Sequence, residues 1–308
     1  MNLWFLIGVF NSPWSSFQGE LFLFSFGQNF FVVPNMGMSG NFFLWSLPIL
    51  FLGMVFWLVW HKGTKLDPKA FDQAWRDILL EKVGFYVALS PAERLRFEQE
   101  ILYFFDQVTI TGVEVDIDDT DRILVASSAV IPLFGFPELR FRNISEVLLY
   151  KDSFNAENQT VGEYRNILGK VGSGTMNRLM ILSLPALHAG FEKEGTSNVG
   201  IHEFVHLIDK ADGATDGIPE SLMQKQYVLP WIKMMHRECT SIKKGISDIN
   251  PYGASSDIEF LSVVSEYFFS NPDRFRKVHP QLYELLATLY RQEPKLGRKP
   301  IRSGPDPK

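Results

Sequence analysis

The chain has 308 residues, of which 46% are apolar, and a formal net charge of −5 at neutral pH. That length and apolar content are enough to bury a core, so a disordered chain is not expected, and the mixture of acidic and basic residues argues against a nucleic-acid partner. Cys239 is the only cysteine, which excludes an intramolecular disulfide and a cysteine-based zinc cluster and favours a reducing compartment.

The first 60 residues have the composition of a membrane segment rather than of a soluble domain. Glu20 is the only charged side chain before His61, and residues 42–60, FFLWSLPILFLGMVFWLVW, carry no charge. At 1.5 Å per residue this run is close to the ~30 Å thickness of the hydrocarbon core. We predict one N-terminal transmembrane helix at 42–60; a buried core helix is the alternative.

The charges that flank this run predict its orientation. Lys62, Lys65 and Lys69 follow it at once, and positively charged flanks stay on the cytoplasmic side. The sequence therefore predicts a single-pass protein of the cytoplasmic (inner) membrane, with a short non-cytoplasmic segment at 1–41, a linker at 61–74 and the remainder in the cytoplasm. Met36 and Met38 offer alternative translation starts within the first segment.

Helices are predicted first in the part that follows. Residues 67–90 are typical of a helix, and the next helix has a start signal in Ser90, Pro91 and Glu93, which form a capping-box pattern. Apolar side chains recur on one face of this second helix, which we expect to pack on the core: Leu95, Ile101, Leu102 and Phe105.

Short strands are predicted next, and more helices after them. Alternation at 108–117 and a β-rich apolar run at 122–134 are followed by short runs at 146–150 and 178–187, which together suggest a small sheet; the last run is a candidate for binding an extended peptide along a sheet edge. Helices are predicted at 221–239 (interrupted near Pro230), 255–270 and 279–292, and residues 291–308 form a disordered tail. This order favours an α+β fold.

The stretch NVGIHEFVHLIDKADG, residues 198–213, carries the chemistry. On a helix, His202 and His206 lie one turn apart on the same face, where two imidazoles can bind one metal ion, and Glu203 can lie over the open metal position. Zinc peptidases use this arrangement, with the glutamate as general base. The alternative is a helix with two unrelated histidines, but its apolar surroundings predict burial, and a metal gives a buried neutral imidazole a partner.

A peptidase zinc needs a third protein ligand, and two glutamates are candidates. Glu259 and Glu266 lie seven residues apart, on one face of a helix. Glu259 has another explanation, a capping box with Ser256, whereas Glu266 is mid-helix and needs a partner such as a ligand histidine. Asp209 either orients a ligand histidine or fixes the turn after the helix.

The remaining histidines lack motif context and are predicted to be surface or satisfied core residues. They are His61, His188, His236 and His279.

Two longer stretches, NVGIHEFVHLIDKADGATDGIP and PYGASSDIEFLSVVSEYFF, resemble the zinc-peptidase family of Mlc titration factor A, whose catalytic domain is similar to the protease domain of anthrax lethal factor. Further stretches in the same order extend the resemblance over roughly residues 75 to 285. It implies a zincin-like (gluzincin) metallopeptidase domain, at 75–290, with one Zn²⁺ per chain. It also implies that Glu259 is the third ligand, that Tyr252 stabilises the oxyanion and that Glu266 supports a ligand.

The resemblance leaves two functions open. One is a membrane-anchored zinc peptidase, aminopeptidase-like, that acts on a peptide or protein substrate. The other is a regulatory binding module that sequesters a transcriptional repressor or another partner at the membrane, since the family takes its name from binding the Mlc repressor.

Overall fold

The structure is a computed structural model that describes part of the chain: residues 21–26, 29–34, 71–155, 158–160, 167–172, 177–192, 195 and 197–297. The chain divides into two compact units, Met1–Lys65 and Leu66–Lys308. In the first unit, strands β1 (Leu21–Phe26) and β2 (Asn29–Pro34) pair antiparallel.

The predicted transmembrane helix at 42–60 lies outside the described residues, as do most of the linker and the tail beyond Gly297. None of the helices that the structure does describe combines the length and the apolarity that crossing a bilayer requires.

The second unit begins with three helices. The predicted helix at 67–90 is two helices, α1 (Gln73–Lys82) and α2 (Gly84–Ala88), because the chain is extended at Val83. Helix α3 (Pro91–Gln107) starts with the capping box that the sequence predicted: Ser90 Oγ accepts from Glu93 N, and the Glu93 carboxylate accepts from Ser90 N at 2.9 Å.

The packed face of α3 is rotated from the predicted one. Leu95 is 45% exposed, so its assignment to the core was wrong. The burial of Ile101 is confirmed, and Leu102 and Phe105 pack partly buried against the core. The most buried apolar face is Phe97, Ile101 and Phe104, at the i, i+4, i+7 spacing of one helical face. The ring of Phe97 packs against Phe134, and the ring of Phe104 packs against Phe204.

The sheet has four strands in the order β3-β4-β6-β5: β3 (Thr109–Val113), β4 (Glu146–Tyr150), β5 (Gly169–Val171) and β6 (Leu179–Ser183). Neighbours β3, β4 and β6 run parallel, and β5 is antiparallel to β6. Strand β6 is therefore interior, and the expectation that it offers a free edge to a peptide was wrong. The edge strands of this sheet, among those described, are β3 and β5.

The predicted strand at 122–134 is instead part of a helix, α4 (Asp119–Leu133). Asp118 caps it, since its carboxylate accepts from Asp121 N at 3.1 Å and the Asp121 carboxylate accepts from Asp118 N at 2.9 Å. Every residue from Ile123 to Pro132 is buried. A helix that is buried all round has no polar face and no 3.6-residue periodicity, so its β-branched residues looked like a strand.

After the sheet come six α-helices in the part of the chain that the structure describes. They are α5 (Leu184–Ala189), α6 (Val199–Asp209), α7 (Lys225–Lys243), α8 (Asp257–Ser270), α9 (Pro272–Val278) and α10 (Pro280–Tyr290). Helix α7 runs through Pro230 without the predicted interruption. Pro230 is exposed, so water can satisfy the carbonyl that a proline leaves unpaired.

Helix α6 occupies the centre of this unit. It packs against α4, α8 and strands β5 and β6, so the histidine helix has the glutamate helix on one side and the edge of the sheet on the other. The mixed fold of helices and one small sheet agrees with the predicted α+β class, although α4 connects β3 to β4 as a parallel crossover, so strands and helices are less segregated than expected.

Candidate metal centre

Two histidines of α6 and one glutamate of α8 converge on a single point. His202 Nε2 lies 3.0 Å from His206 Nε2 and 3.0 Å from Glu259 Oε2, and His206 Nε2 lies 3.4 Å from the same carboxylate oxygen. Ligands bound to a tetrahedral zinc at 2.0–2.2 Å are roughly 3.3 Å apart. The three distances are therefore compatible with these atoms binding one zinc ion together.

The hydrogen bonds on the far side of each imidazole fix which nitrogen faces that point. His202 Nδ1 is 2.6 Å from Glu266 Oε1, and His206 Nδ1 is 3.1 Å from Ser262 Oγ. A carboxylate that accepts from Nδ1–H leaves the His202 Nε2 lone pair directed at two other electron-pair donors. Two imidazoles and a carboxylate are the donor set that zinc prefers, so the residues present fit a metal ion.

The charges of these groups show how strongly the arrangement favours a cation. Burial would lower the pKa of His202, but the carboxylates of Glu259 and Glu266 outweigh it and raise the pKa to about 10. Burial alone would raise the pKa of Glu259, but hydrogen bonds from His202 and His206 lower it well below its usual value. In each case a positive charge at the centre is stabilised by the carboxylates around it.

Glu266 positions His202 and the helix that carries it. Besides His202, its carboxylate accepts from Ser197 Oγ at 2.7 Å and from Asn198 N at 2.6 Å. Asn198 is the N-cap of α6, where its Oδ1 accepts from Ile201 N. Glu266 therefore fixes both the orientation of the His202 ring and the start of the helix.

Glu203 lies between the metal centre and the edge of the sheet. It is 5% exposed, and burial raises the pKa of its carboxyl. Strand β5 passes directly against it: a Cβ added at Gly169 would lie 2.6 Å from Glu203 Oε1. Only glycine leaves room there, which explains a residue that the motif pattern did not single out.

Tyr252 belongs to a short 3-10 turn, Pro251–Ala254, just before α8. Its ring stacks on His202 with centroids 6.1 Å apart and an angle of 29° between the planes, and 54% of the residue is exposed. Burial and the nearby Glu259 carboxylate raise its pKa to about 12, so the hydroxyl keeps its proton at neutral pH and can act as a donor.

Asp209 holds the loop that follows α6. Its Oδ2 accepts from Gly217 N at 3.0 Å, and the carbonyl of Gly217 accepts from Trp231 Nε1 at 2.8 Å. Gly217 has a φ of +77°, and a Cβ there would meet the Asp257 carbonyl at 2.3 Å. The loop therefore abuts the first turn of α8, which carries Glu259. The composition of ADGATDGIPE predicts a loop at the end of the helix, with Gly217 in it, whereas no sequence signal pointed to Trp231.

The other histidines that the structure describes lie elsewhere. His188 Nε2 is 2.6 Å from Asp121 Oδ1, His279 Nε2 is 2.7 Å from Asp248 Oδ1, and His236 is exposed on α7, while His61 is outside the described residues. Within the described ranges, His202, His206 and Glu259 form the only cluster of three such side chains close enough to share a metal ion.

Known proteins are similar in sequence to this chain over most of its length. A family model described as glucose-regulated metallo-peptidase M90 matches residues 57–291. The chain is 28% identical over 242 residues to the Mlc titration factor A of Salmonella arizonae, which covers 72% of this chain and 92% of the relative. It is 26% identical over 266 residues to the Mlc titration factor A of Escherichia fergusonii, covering 80% and 95%.

A third relative, an uncharacterized protein of Synechocystis sp., is 26% identical over 264 residues, covering 82% of this chain and 93% of the relative. These similarities confirm the resemblance that the sequence motifs predicted.

Proposed function

The chain belongs to the glucose-regulated metallo-peptidase M90 family, and from this premise we propose that it is a zinc-dependent peptidase with an aminopeptidase-like preference. The observation that carries the proposal is the convergence of His202, His206 and Glu259 beside a buried Glu203. Three protein ligands leave the fourth position of a tetrahedral zinc open, as a catalytic site requires.

Zinc and Glu203 would share the activation of the water that attacks the peptide bond. Bound zinc would act as a Lewis acid that activates water and polarises the scissile carbonyl. Glu203 accepts the proton of the attacking water, and the burial that raises its pKa brings it closer to the pH at which it works. It then delivers that proton to the leaving amine.

Tyr252 donates a hydrogen bond to the oxyanion that develops on the carbonyl. Its hydroxyl is protonated at neutral pH, and its ring already lies over His202 on the exposed side of the centre. A donor placed there acts on the transition state, where the negative charge is largest.

Strand β5 supports an extended peptide as the substrate. Ser183 N donates to Leu168 O, and Gly172 N donates to Leu179 O, both at 2.8 Å. Because bonding residues alternate along an antiparallel strand, the backbone groups of Gly169 and Val171 point away from β6. A peptide paired with them would run past Glu203, which Gly169 touches.

The location is part of the proposal. The uncharged run at 42–60 and the lysines that follow it support a single-pass anchor in the cytoplasmic membrane, with the peptidase domain facing the cytoplasm. Substrates would then be cytoplasmic peptides or proteins near the membrane.

The second candidate is a binding module that sequesters a transcriptional regulator at the membrane. It is favoured by the name of two of the relatives, Mlc titration factor A. A sequestering surface would not need a general base beside the metal centre, so the two candidates differ in what Glu203 contributes.

Turnover by the full-length chain separates them. Wild type is expected to release the first residue of peptides with a free N-terminus and to cleave N-acetylated peptides slowly. Glu203→Gln is expected to lower kcat by about 10²–10⁴-fold while zinc stays bound, and Glu192→Gln, an exposed carboxylate, to leave it unchanged. Equal turnover by Glu203→Gln would refute the assigned role; a zinc-loaded chain with no turnover that still captures the regulator would establish the binding module.

A further inference from the structure

The ring of Tyr252 stacks on His202, but packing does not enclose it. More than half of the residue is exposed, so the position of its hydroxyl depends on where the turn Pro251–Ala254 is fixed. A donor must be placed to within a fraction of an ångström to stabilise an oxyanion, and a displacement of 1 Å can cost about 10²-fold in rate.

This turn packs against two neighbouring helices, α7 and α8. Gly253 packs on Val263 of α8, since a Cβ there would lie 3.1 Å from the valine side chain, and the Gly253 carbonyl faces Cys239 Sγ of α7 at 3.8 Å. Asn250 Oδ1 caps the turn by accepting from Tyr252 N at 3.0 Å. These contacts fix the turn and its N-cap.

The segment just before the turn is anchored at two residues: Ile249, which is buried in the core, and Asp248, four positions before the tyrosine. Asp248 Oδ2 accepts from Tyr267 OH at 2.9 Å and from Arg274 Nε and Nη2 at 3.0 and 2.8 Å. Asp248 Oδ1 lies 2.7 Å from His279 Nε2. One carboxylate thus gathers side chains from α8, from α9 and from the junction between α9 and α10.

The electrostatics show that this carboxylate stays charged. Burial alone would raise the pKa of the Asp248 carboxyl, but hydrogen bonds from His279, Arg274 and Tyr267 lower it below its usual value. Hydrogen bonds to a charged acceptor are shorter and stronger than neutral ones. Because Tyr267 is on α8, the network also ties the loop to the helix that supplies Glu259.

We propose that Asp248 is a positioning residue for Tyr252: it fixes the loop that places the tyrosine hydroxyl over the metal centre. The inference rests on the proposed function, since it needs Tyr252 to act on the oxyanion. A carboxylate that served only to stabilise the packing of α8, α9 and α10 would affect folding without affecting Tyr252.

A double-mutant cycle on the full-length chain tests this, with kcat, KM and zinc content measured for each variant. Tyr252→Phe is expected to lower kcat by about 10²-fold. Asp248→Ala is expected to lower kcat at least tenfold, with KM and zinc content unchanged. In the Tyr252→Phe background, Asp248→Ala is expected to change kcat less than twofold, because the hydroxyl that it positions is already gone.

Conservative and control variants separate positioning from stability. Asp248→Asn keeps an acceptor oxygen and is expected to recover most of kcat. Arg274→Gln removes the two hydrogen bonds that Arg274 donates to Asp248 and is expected to lower kcat through Tyr252 in the same way. This variant keeps the test decisive if Asp248→Ala does not fold. Glu293→Ala removes an exposed ion pair to Arg276 of α9 and is expected to leave kcat unchanged.

Two results would overturn the inference while the proposed function stands. They are an unchanged kcat in both Asp248→Ala and Arg274→Gln, or losses that multiply fully in the double variants. A wild-type chain without turnover, or a Tyr252→Phe variant as active as wild type, would overturn the role of Tyr252 in the proposed function and the inference with it.

Discussion

Replacing Glu266 by glutamine should weaken zinc binding without removing a ligand. The Glu266 carboxylate faces three groups, His202 Nδ1 at 2.6 Å, Asn198 N at 2.6 Å and Ser197 Oγ at 2.7 Å. Glutamine has one acceptor oxygen and one NH₂ group, so it cannot accept from all three. If the oxygen stays on Asn198 N, the NH₂ group faces His202 Nδ1.

That exchange disfavours the form of His202 that binds metal. An imidazole that must accept at Nδ1 carries its proton on Nε2, the nitrogen directed at the metal centre. Partners that orient a ligand histidine are typically worth 10–100-fold in metal affinity, which is about 1.4 to 2.8 kcal/mol. We expect a loss in this range for Glu266→Gln and a larger one for Glu259→Gln.

Competition with a chromophoric zinc chelator measures the zinc affinities of both variants on the full-length chain. Glu293→Gln, which changes an exposed ion pair with Arg276, is the matched control. A Glu266→Gln affinity within twofold of wild type would refute the tautomer argument. A larger loss in Glu266→Gln than in Glu259→Gln would mean that Glu266 is the direct ligand.

Three further changes have expected results. Gly169→Ala places a Cβ 2.6 Å from Glu203 Oε1 and should lower kcat by about 10²-fold with zinc content unchanged; wild-type kinetics would contradict this. Burial raises the pKa of Asp209 from 3.8 to about 6. Between these values the carboxyl is deprotonated in the unfolded chain and protonated in the folded chain, so the free energy of unfolding declines as pH rises from 3.8 to about 6. Urea unfolding should show a smaller decline in the free energy of unfolding for Asp209→Asn than for wild type over this pH range. An equal decline would contradict the assignment of this pH dependence to Asp209. Glu98→Ala removes a buried carboxylate that accepts from Arg76 Nε at 2.9 Å and from Tyr86 OH at 2.7 Å. It should lower the free energy of unfolding by about 3 kcal/mol; a loss under 1 kcal/mol in a denaturant titration would contradict this.

The sequence predicted the elements whose signals are local. The capping box at Ser90 and Glu93 formed as expected, because the four atoms involved lie within one helical turn. His202, Glu203 and His206 fall on one helix for the same reason. The structure then brings Glu259 to within 3.4 Å of both histidines, a proximity that the residues alone left open between Glu259 and Glu266.

The errors arose where burial or tertiary contacts decide. Helix α4 was mistaken for a strand because it is buried on all sides and shows no helical periodicity. The interior place of β6 depends on the pairing of β5 with it, which no local pattern contains. Gly169 and Gly217 matter because of what approaches them from elsewhere in the chain, and a single sequence does not record such distances.

Zinc content of the full-length chain tests the central claim most directly. Elemental analysis after exposure to zinc and removal of the excess is expected to find one zinc per chain in wild type and in Glu203→Gln, and far less in Glu259→Ala. A wild-type chain that holds no zinc under these conditions, or a Glu259→Ala variant that holds as much as wild type, would contradict the assignment of His202, His206 and Glu259 as the metal centre.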